Sequence, residues 1–256
     1  MRGTARLGTQ YALAALGLML VLPAGALASP PKPVADALAL LNSGMDQLAG
    51  GWQYQQKVTS DQGSETLAYD GSRPVGERWT VLAVNGKPPS AKQAKELAEK
   101  ARAEHKKGKS SDNVSLGMDS WLQASHYRLI HADDKQFVYQ IEVQAGAHDS
   151  ASADAMLKHL AGQFVVARDD HRPLKLTLDN FESFSPRFGV KVTQFHLQIQ
   201  FRRLSAPAAP VVADRVSTEA KGKVFWIKSF DTKTRVILSH FVPVSGTVST
   251  PVPASR

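Results

Sequence analysis

The side chains able to do chemistry are few in kind. Eight histidines, at positions 105, 126, 131, 148, 159, 171, 196 and 240, are scattered along 256 residues, and there is no cysteine. That absence removes thiolate nucleophiles, thiolate metal ligands and disulfides together. A metal site would then need histidines and carboxylates at short, regular spacing. No two histidines lie four apart, and no His-Glu-x-x-His run occurs. His126 and His131 are five apart, which on a regular strand sends them to opposite faces. His196 falls on the polar face of an alternating run. The histidines therefore read as surface or hydrogen-bonded groups, and neither metal nor cofactor is expected. Asp133-Asp134 and Asp169-Asp170 have the composition of acid–base pairs, yet each separates two strand-like runs, where aspartate is a turn former. There is no Gly-x-Ser-x-Gly elbow, phosphate-cradling glycine loop or Ser-x-x-Lys pair. No catalytic residue is expected, and the chain reads as a non-enzyme.

The first 28 residues have a different role. Arg2 and Arg6 make a basic start, Tyr11 to Leu22 is an apolar run, and Pro23 and Gly25 break it. Ala26-Leu27-Ala28 then supplies the small residues that signal peptidase requires, so cleavage is expected after Ala28. The apolar run is too short for a spanning helix, which needs about 20 residues. With no lipid-anchor cysteine and no arginine pair, the expected product is a soluble periplasmic protein that folds after export. Removing residues 1–28 leaves 29 basic and 23 acidic residues, a net charge of +6. Nucleic acid is excluded as a partner by export and by the lack of any binding motif.

The remaining chain is mostly strand-like. Val34, Leu38, Leu41 and Leu48 have helical spacing, stopped by Gly50-Gly51. From Trp52 on, short alternating runs separated by turn residues predict ten to eleven strands joined as an antiparallel meander. One segment interrupts them, at about 88–111. There Pro88-Pro89-Ser90 leads into an Ala-, Lys- and Glu-rich surface helix with Ser90 and Gln93 as a capping box. The chain from 243 to 256 reads as a disordered tail. The expected architecture is a single mainly β (α+β) domain over 29–242. Its curved antiparallel sheet forms a half-open barrel with helices covering its apolar face.

That face is the candidate ligand cavity. Its expected inward residues are Trp52, Tyr54, Trp79, Val81, Trp121, Phe137, Tyr139, Ile141, Phe195, Leu197, Ile199, Phe201, Phe225 and Ile227. Whether they fill a core or line an open cleft depends on the sheet's curvature.

With the late run Gly222-Lys223-Val224-Phe225-Trp226-Ile227-Lys228-Ser229-Phe230-Asp231, this pattern resembles the LolA/LolB-like periplasmic lipoprotein-carrier superfamily. The segments Tyr69 to Pro74, Gly76 to Trp79 and Val84 to Ser90 are similar to exported proteobacterial proteins of that expected fold. The resemblance implies a curved sheet holding acyl chains in a hydrophobic cleft. Lacking an anchor cysteine, the chain is similar to the soluble shuttle and not to the anchored acceptor. The implied function is a soluble carrier or binding protein for a lipid, a lipoprotein acyl chain or a similar amphiphile, with an acylated protein or a membrane protein as partner. An envelope-stress-type sensor or interaction module with the same fold, or a periplasmic hydrolase with residues assembled in space, are the other readings. N-terminal sequencing of the exported form should find Ser29 first; a product beginning at Met1 would contradict cleavage.

Overall fold

A computed structural model describes residues 29–96, 99, 118–144, 155–205, 209–225 and 227–244. Helix α1 is Lys32–Gly51 and leads directly into β1, Trp52–Ser60. Strands β2 (Gly63–Asp70) and β3 (Trp79–Val84) complete the first group. A short helix α2, Met118–Ala124, precedes β4 (His126–Ala132), β5 (Gln136–Glu142), β6 (Leu160–Ala167) and β7 (Pro173–Asn180). Strands β8 (Phe184–Arg187), β9 (Val190–Arg203), β10 (Val211–Val224) and β11 (Lys228–Pro243) follow. These strands form a single curved, open antiparallel sheet, the half-open barrel expected of the alternating runs. No described helix is long and apolar enough to cross a membrane.

The connectivity differs from a simple meander. The order is β3-β2-β1-β11-β10-β9-β7-β6-β5-β4, with β8 paired to β9 at one end. The last strand therefore pairs with the first, Val58 opposite Val236, and β3 and β4 form the two edges. The segment between β3 and β4, read from sequence as an insertion, is also the connection from one edge of the sheet to the other. Residues 91–96 of it are helical, capped where Ser90 Oγ accepts from Gln93 N at 3.3 Å; the expected helix beyond them lies outside the described residues. At the other end of the chain, Pro243 pairs with Trp52 and Val244 N donates to Gly51 O. The sheet thus includes the first residue of the expected tail, and positions 245–256 are outside the described residues.

Strand alternation gives the sheet one apolar and one polar face. Registered pairs carry a row from Val58 through Val236, Val216, Ile199, Leu176, Phe164 and Tyr139 to Leu129. The neighbouring row on the other face reads Lys57, Ile237, Arg215, Gln200, Lys175, Val165, Val138 and His131. Helix α1 covers the apolar face, here called inner, with Val34, Ala37, Leu38 and Leu41 buried at helical spacing. Each buried Val or Leu contributes about 1.5–3 kcal/mol by removing apolar surface from water. Trp121 and Leu122 of α2 join this core. Tyr127, on β4, donates its hydroxyl to Leu122 O at 2.6 Å, and burial pushes its phenol pKa well above the usual range.

Gly44 sets how closely α1 can approach. A Cβ there would lie 2.2 Å from the backbone oxygen of Val211 in β10. Helix propensity alone makes Gly→Ala a gain of about 1 kcal/mol. Here the steric conflict reverses the sign, and Gly44→Ala should destabilise the protein by about 1–3 kcal/mol in urea denaturation. An unchanged or raised midpoint would show that α1 does not need this contact.

Candidate binding face

The fourteen residues expected to face inward divide among separate places. Trp121, Tyr139, Ile141, Ile199 and Phe201 are buried in the main core beneath α1, and Phe137, Phe195 and Leu197 pack half-buried against it. Tyr54 is buried in a second cluster with Tyr69 and Leu238, against which Trp79 packs. Trp52 packs on a third, formed by Leu204, Ala209 and Val212. Val81 is half-buried on β3.

Phe225 and Ile227 are not inward. Val224 pairs with Lys228, so the chain reverses between them, and the Phe225 and Ile227 side chains are 55% and 90% exposed. The late run that reads as one strand is two strand ends around a reversal. Phe225 adopts a left-handed φ of 47° there. Residues 225–227 include none of the Gly, Asn, Asp or Pro that usually marks a turn, so alternation was the only sequence signal and it misled.

Tyr69, absent from the expected set, organises the second cluster. It is 1% exposed, stacks on Tyr54 at 4.8 Å and meets Trp79 edge-on at 4.9 Å. Its hydroxyl donates to Ala49 O at 2.6 Å, satisfying a carbonyl in the last turn of α1, and accepts from Arg78 Nη1 at 3.2 Å. Its place in the run Glu65 to Asp70 was visible, but its tie to the helix end required the fold.

Beyond this cluster, toward the β3 edge, the inner face continues as a half-buried strip. Val81 opposes Leu67, Leu67 opposes Gln56, and Gln56 opposes Leu238. The next row runs from Val84 and Glu65 to Val58 and Val236. Helix α1 packs instead on β10, β7, β6 and the start of the β1 side. Within the strip, Gln56 Oε1 is buried and has no hydrogen-bond partner among the described residues. An unsatisfied buried acceptor costs about 1–3 kcal/mol. With the exposed Glu65 carboxylate in the next row, this surface suits an occupant with an apolar body and hydrogen-bond donors at its polar end.

The outer face holds His126, His131 and His196. A bulge between Leu129 and His131 changes the expected geometry of β4. His126 pairs with Glu142 and His131 with Val138, four apart on β5, so both histidines share the outer face. Among the described residues no three ligating groups gather for a metal ion. His196 Nδ1 lies 2.7 Å from Asp179 Oδ1 in an open depression of about 600 Å³ that Gln140, Gln163 and Thr177 also line. Nucleophilic catalysis would need a hydroxyl on the other ring nitrogen. Thr177 Oγ1 instead donates to Gln163 O, and no described hydroxyl bonds His196. Asp133 and Asp170 are turn residues, accepting from the backbone amides of Gln136 and Arg172.

His171 is the exception, because it reaches the helix. From the β6–β7 turn, with φ of 51°, its Nδ1 lies 2.6 Å from Asp36 Oδ2 on α1. Lys32 Nζ donates to the same oxygen at 2.7 Å. Lys32's hydrogen bond first, and His171's second, hold the Asp36 carboxyl below its ordinary pKa.

No family model and no curated protein matches this chain. Among solved structures the chain is similar to the one described as MucB in complex with MucA(peri). The two are 13% identical over 82% of this chain and 98% of that one, with a TM-score of 0.20. A superposition so loose transfers no residue role.

The Asp36 clasp has a definite pH sense. A carboxyl whose folded pKa is depressed supports the fold above its unfolded pKa of about 4, and that support is lost as pH falls toward the lower folded value. Protection of the α1 amides against hydrogen exchange should therefore fall, relative to β9, as pH is lowered below about 4. Asp36→Asn should show the looser helix already at neutral pH. Equal protection in variant and parent would remove the clasp from the account.

Proposed function

We propose that the chain is exported through a cleaved signal peptide and works in the periplasm as a non-enzymatic carrier or binding protein for an amphiphile. The ligand class is a lipid, a lipoprotein acyl chain or a similar molecule with a long apolar tail. The observation that supports this reading is the half-buried strip on β3, β2, β1 and β11, with its orphaned Gln56 acceptor. The main core under α1 is packed by the protein's own side chains, and among the described residues this strip is the part of the inner face left half-buried. Burying an acyl chain contributes about 0.8 kcal/mol per methylene, so ten methylenes supply about 8 kcal/mol before ordering costs.

A second reading, an envelope interaction module, is favoured by the open edges of the sheet. Strand β4 exposes Leu129 and Ile130 at one of them, and an edge strand can pair with a partner's strand. A single stoichiometric protein recovered from envelope extracts would favour that reading over a lipid cargo.

Mass spectrometry of solvent extracts from the purified protein should find a bound amphiphile, and a fluorescent fatty acid should be taken up. Val58→Asp, which sets a second carboxylate opposite Glu65 on the half-buried strip, should lower that uptake at least about tenfold through like-charge opposition and lost apolar contact. Gln56→Leu should stabilise the unliganded protein by about 1 kcal/mol and weaken binding of donor-bearing tails relative to donor-free ones. Neither extracted lipid nor uptake of the probe would overturn the carrier reading.

A further inference from the structure

Two hairpin reversals meet at one end of the sheet, and both expose large apolar side chains. The β8–β9 turn carries Phe188, 87% exposed, and the β10–β11 turn carries Phe225 and Ile227, 55% and 90% exposed. The two turns are joined. Phe225 N donates to Gly189 O at 2.6 Å, and the Phe188 and Phe225 rings meet edge-on at 6.4 Å. Gly189 has φ of +77°, and a Cβ there would lie 2.6 Å from the Phe225 ring, so the close approach requires glycine. Water contact is unfavourable for all three apolar side chains, yet they project from the tip instead of folding back onto the sheet.

Charge marks the same tip. Arg187, Lys191, Lys223 and Lys228 are all exposed around these turns, and no acidic residue occurs from Phe184 to Lys191 or from Gly222 to Phe230. Lys223 pairs directly with Lys191 across β9 and β10, a like-charge opposition that destabilises a sheet. None of the four cations forms an ion pair among the described residues, although other basic residues of β10 and β11 do, as in Lys221–Asp231 and Lys233–Glu219.

We propose that this double-hairpin tip docks on an anionic lipid bilayer, with Phe188, Phe225 and Ile227 entering the headgroup boundary and the four cations engaging lipid phosphates. Apolar side chains ringed by Lys and Arg match the two layers of a bilayer surface, apolar below and anionic above. An acidic polypeptide or a single-stranded nucleic acid would meet the charges but would leave Ile227 unburied. The inference is independent of what the inner strip binds, because the tip is a separate surface and its test uses no cargo.

The chain from Ser29 onward should co-sediment with vesicles of equal phosphatidylglycerol and phosphatidylcholine at low salt, and much less with phosphatidylcholine alone. Lys191→Gln/Lys223→Gln/Lys228→Gln should lower the partition on the order of a hundredfold, about fivefold per charge removed. Phe188→Ser/Ile227→Ser, at exposed turn positions that leave the circular dichroism unchanged, should lower it at least about tenfold while keeping the charge-driven remainder. Three results would each overturn the proposal. The parent chain fails to bind the anionic vesicles, the Phe188→Ser/Ile227→Ser variant binds them as the parent does, or polyglutamate binds the parent and loses affinity equally in both variants.

Discussion

The pairing of β1 with β11 is the constraint on which the rest of this structure depends. It joins residues from the two ends of the sheet-forming chain, Val58 opposite Val236 and Trp52 opposite Pro243. Closing a loop of that length carries an entropic cost of about 5 kcal/mol on the (3/2)RT ln n scaling. In return it turns a three-stranded unit and an eight-stranded unit into one sheet. The three-stranded unit alone would have one unsupported apolar face. The same seam fixes α1, because Gly51 ends the helix, Trp52 begins β1, and Val244 N bonds Gly51 O. Helix position, inner-face strip and sheet continuity thus share one set of backbone hydrogen bonds.

With α1 fixed at its C-terminus, its coverage of the sheet is asymmetric. Val34, Ala37, Leu38 and Leu41 fill the region over β10, β7 and β6, where residues such as Ile199, Leu176 and Phe164 are completely buried. The Tyr54–Tyr69–Trp79 cluster closes the helix end, and Tyr69 binds its Ala49 carbonyl. Past that cluster the same alternation continues beyond the reach of α1. Val58, Leu67 and Val81 are half-buried there among the described residues.

Alternation made much of this legible in advance. Phe137, Tyr139 and Ile141, and Phe195 through Phe201, could be assigned a face because β5 and β9 keep strict period-two spacing. Helix α1 was legible from Val34, Leu38, Leu41 and Leu48. The failures fall where period two is interrupted. One is the bulge that puts His126 and His131 on the same face; another is the Phe225–Ile227 reversal that has no turn former. Strand order was also beyond reach, since hydrophobic pattern says which face a strand buries but not which strand it pairs with. The candidate strip shows the same limit. Each of its residues was visible as strand, and only the registers of β1, β2, β3 and β11 bring Gln56 between Leu67 and Leu238.

Charge placement separates the working surfaces from the supporting ones. Along the body of the sheet several basic residues are matched, Arg202 with Asp214, Arg203 and Arg172 with Asp170, Lys221 with Asp231 and Lys233 with Glu219, while Lys57, Lys175, Arg215 and Arg235 have no ion pair among the described residues. Such exposed pairs add little stability individually. Their effect is to neutralise the field locally, so that cations do not repel across neighbouring strands. Had the tip followed the same rule, Lys191 would face an acid across β10; instead it faces Lys223. At the tip four cations without an ion pair among the described residues, two of them directly opposed, gather around two turns that hold no acid. That concentration coincides with the exposed Phe188, Phe225 and Ile227. Burial of those side chains and neutralisation of those charges are both deferred to whatever meets the tip, and a bilayer surface supplies the two in the same contact.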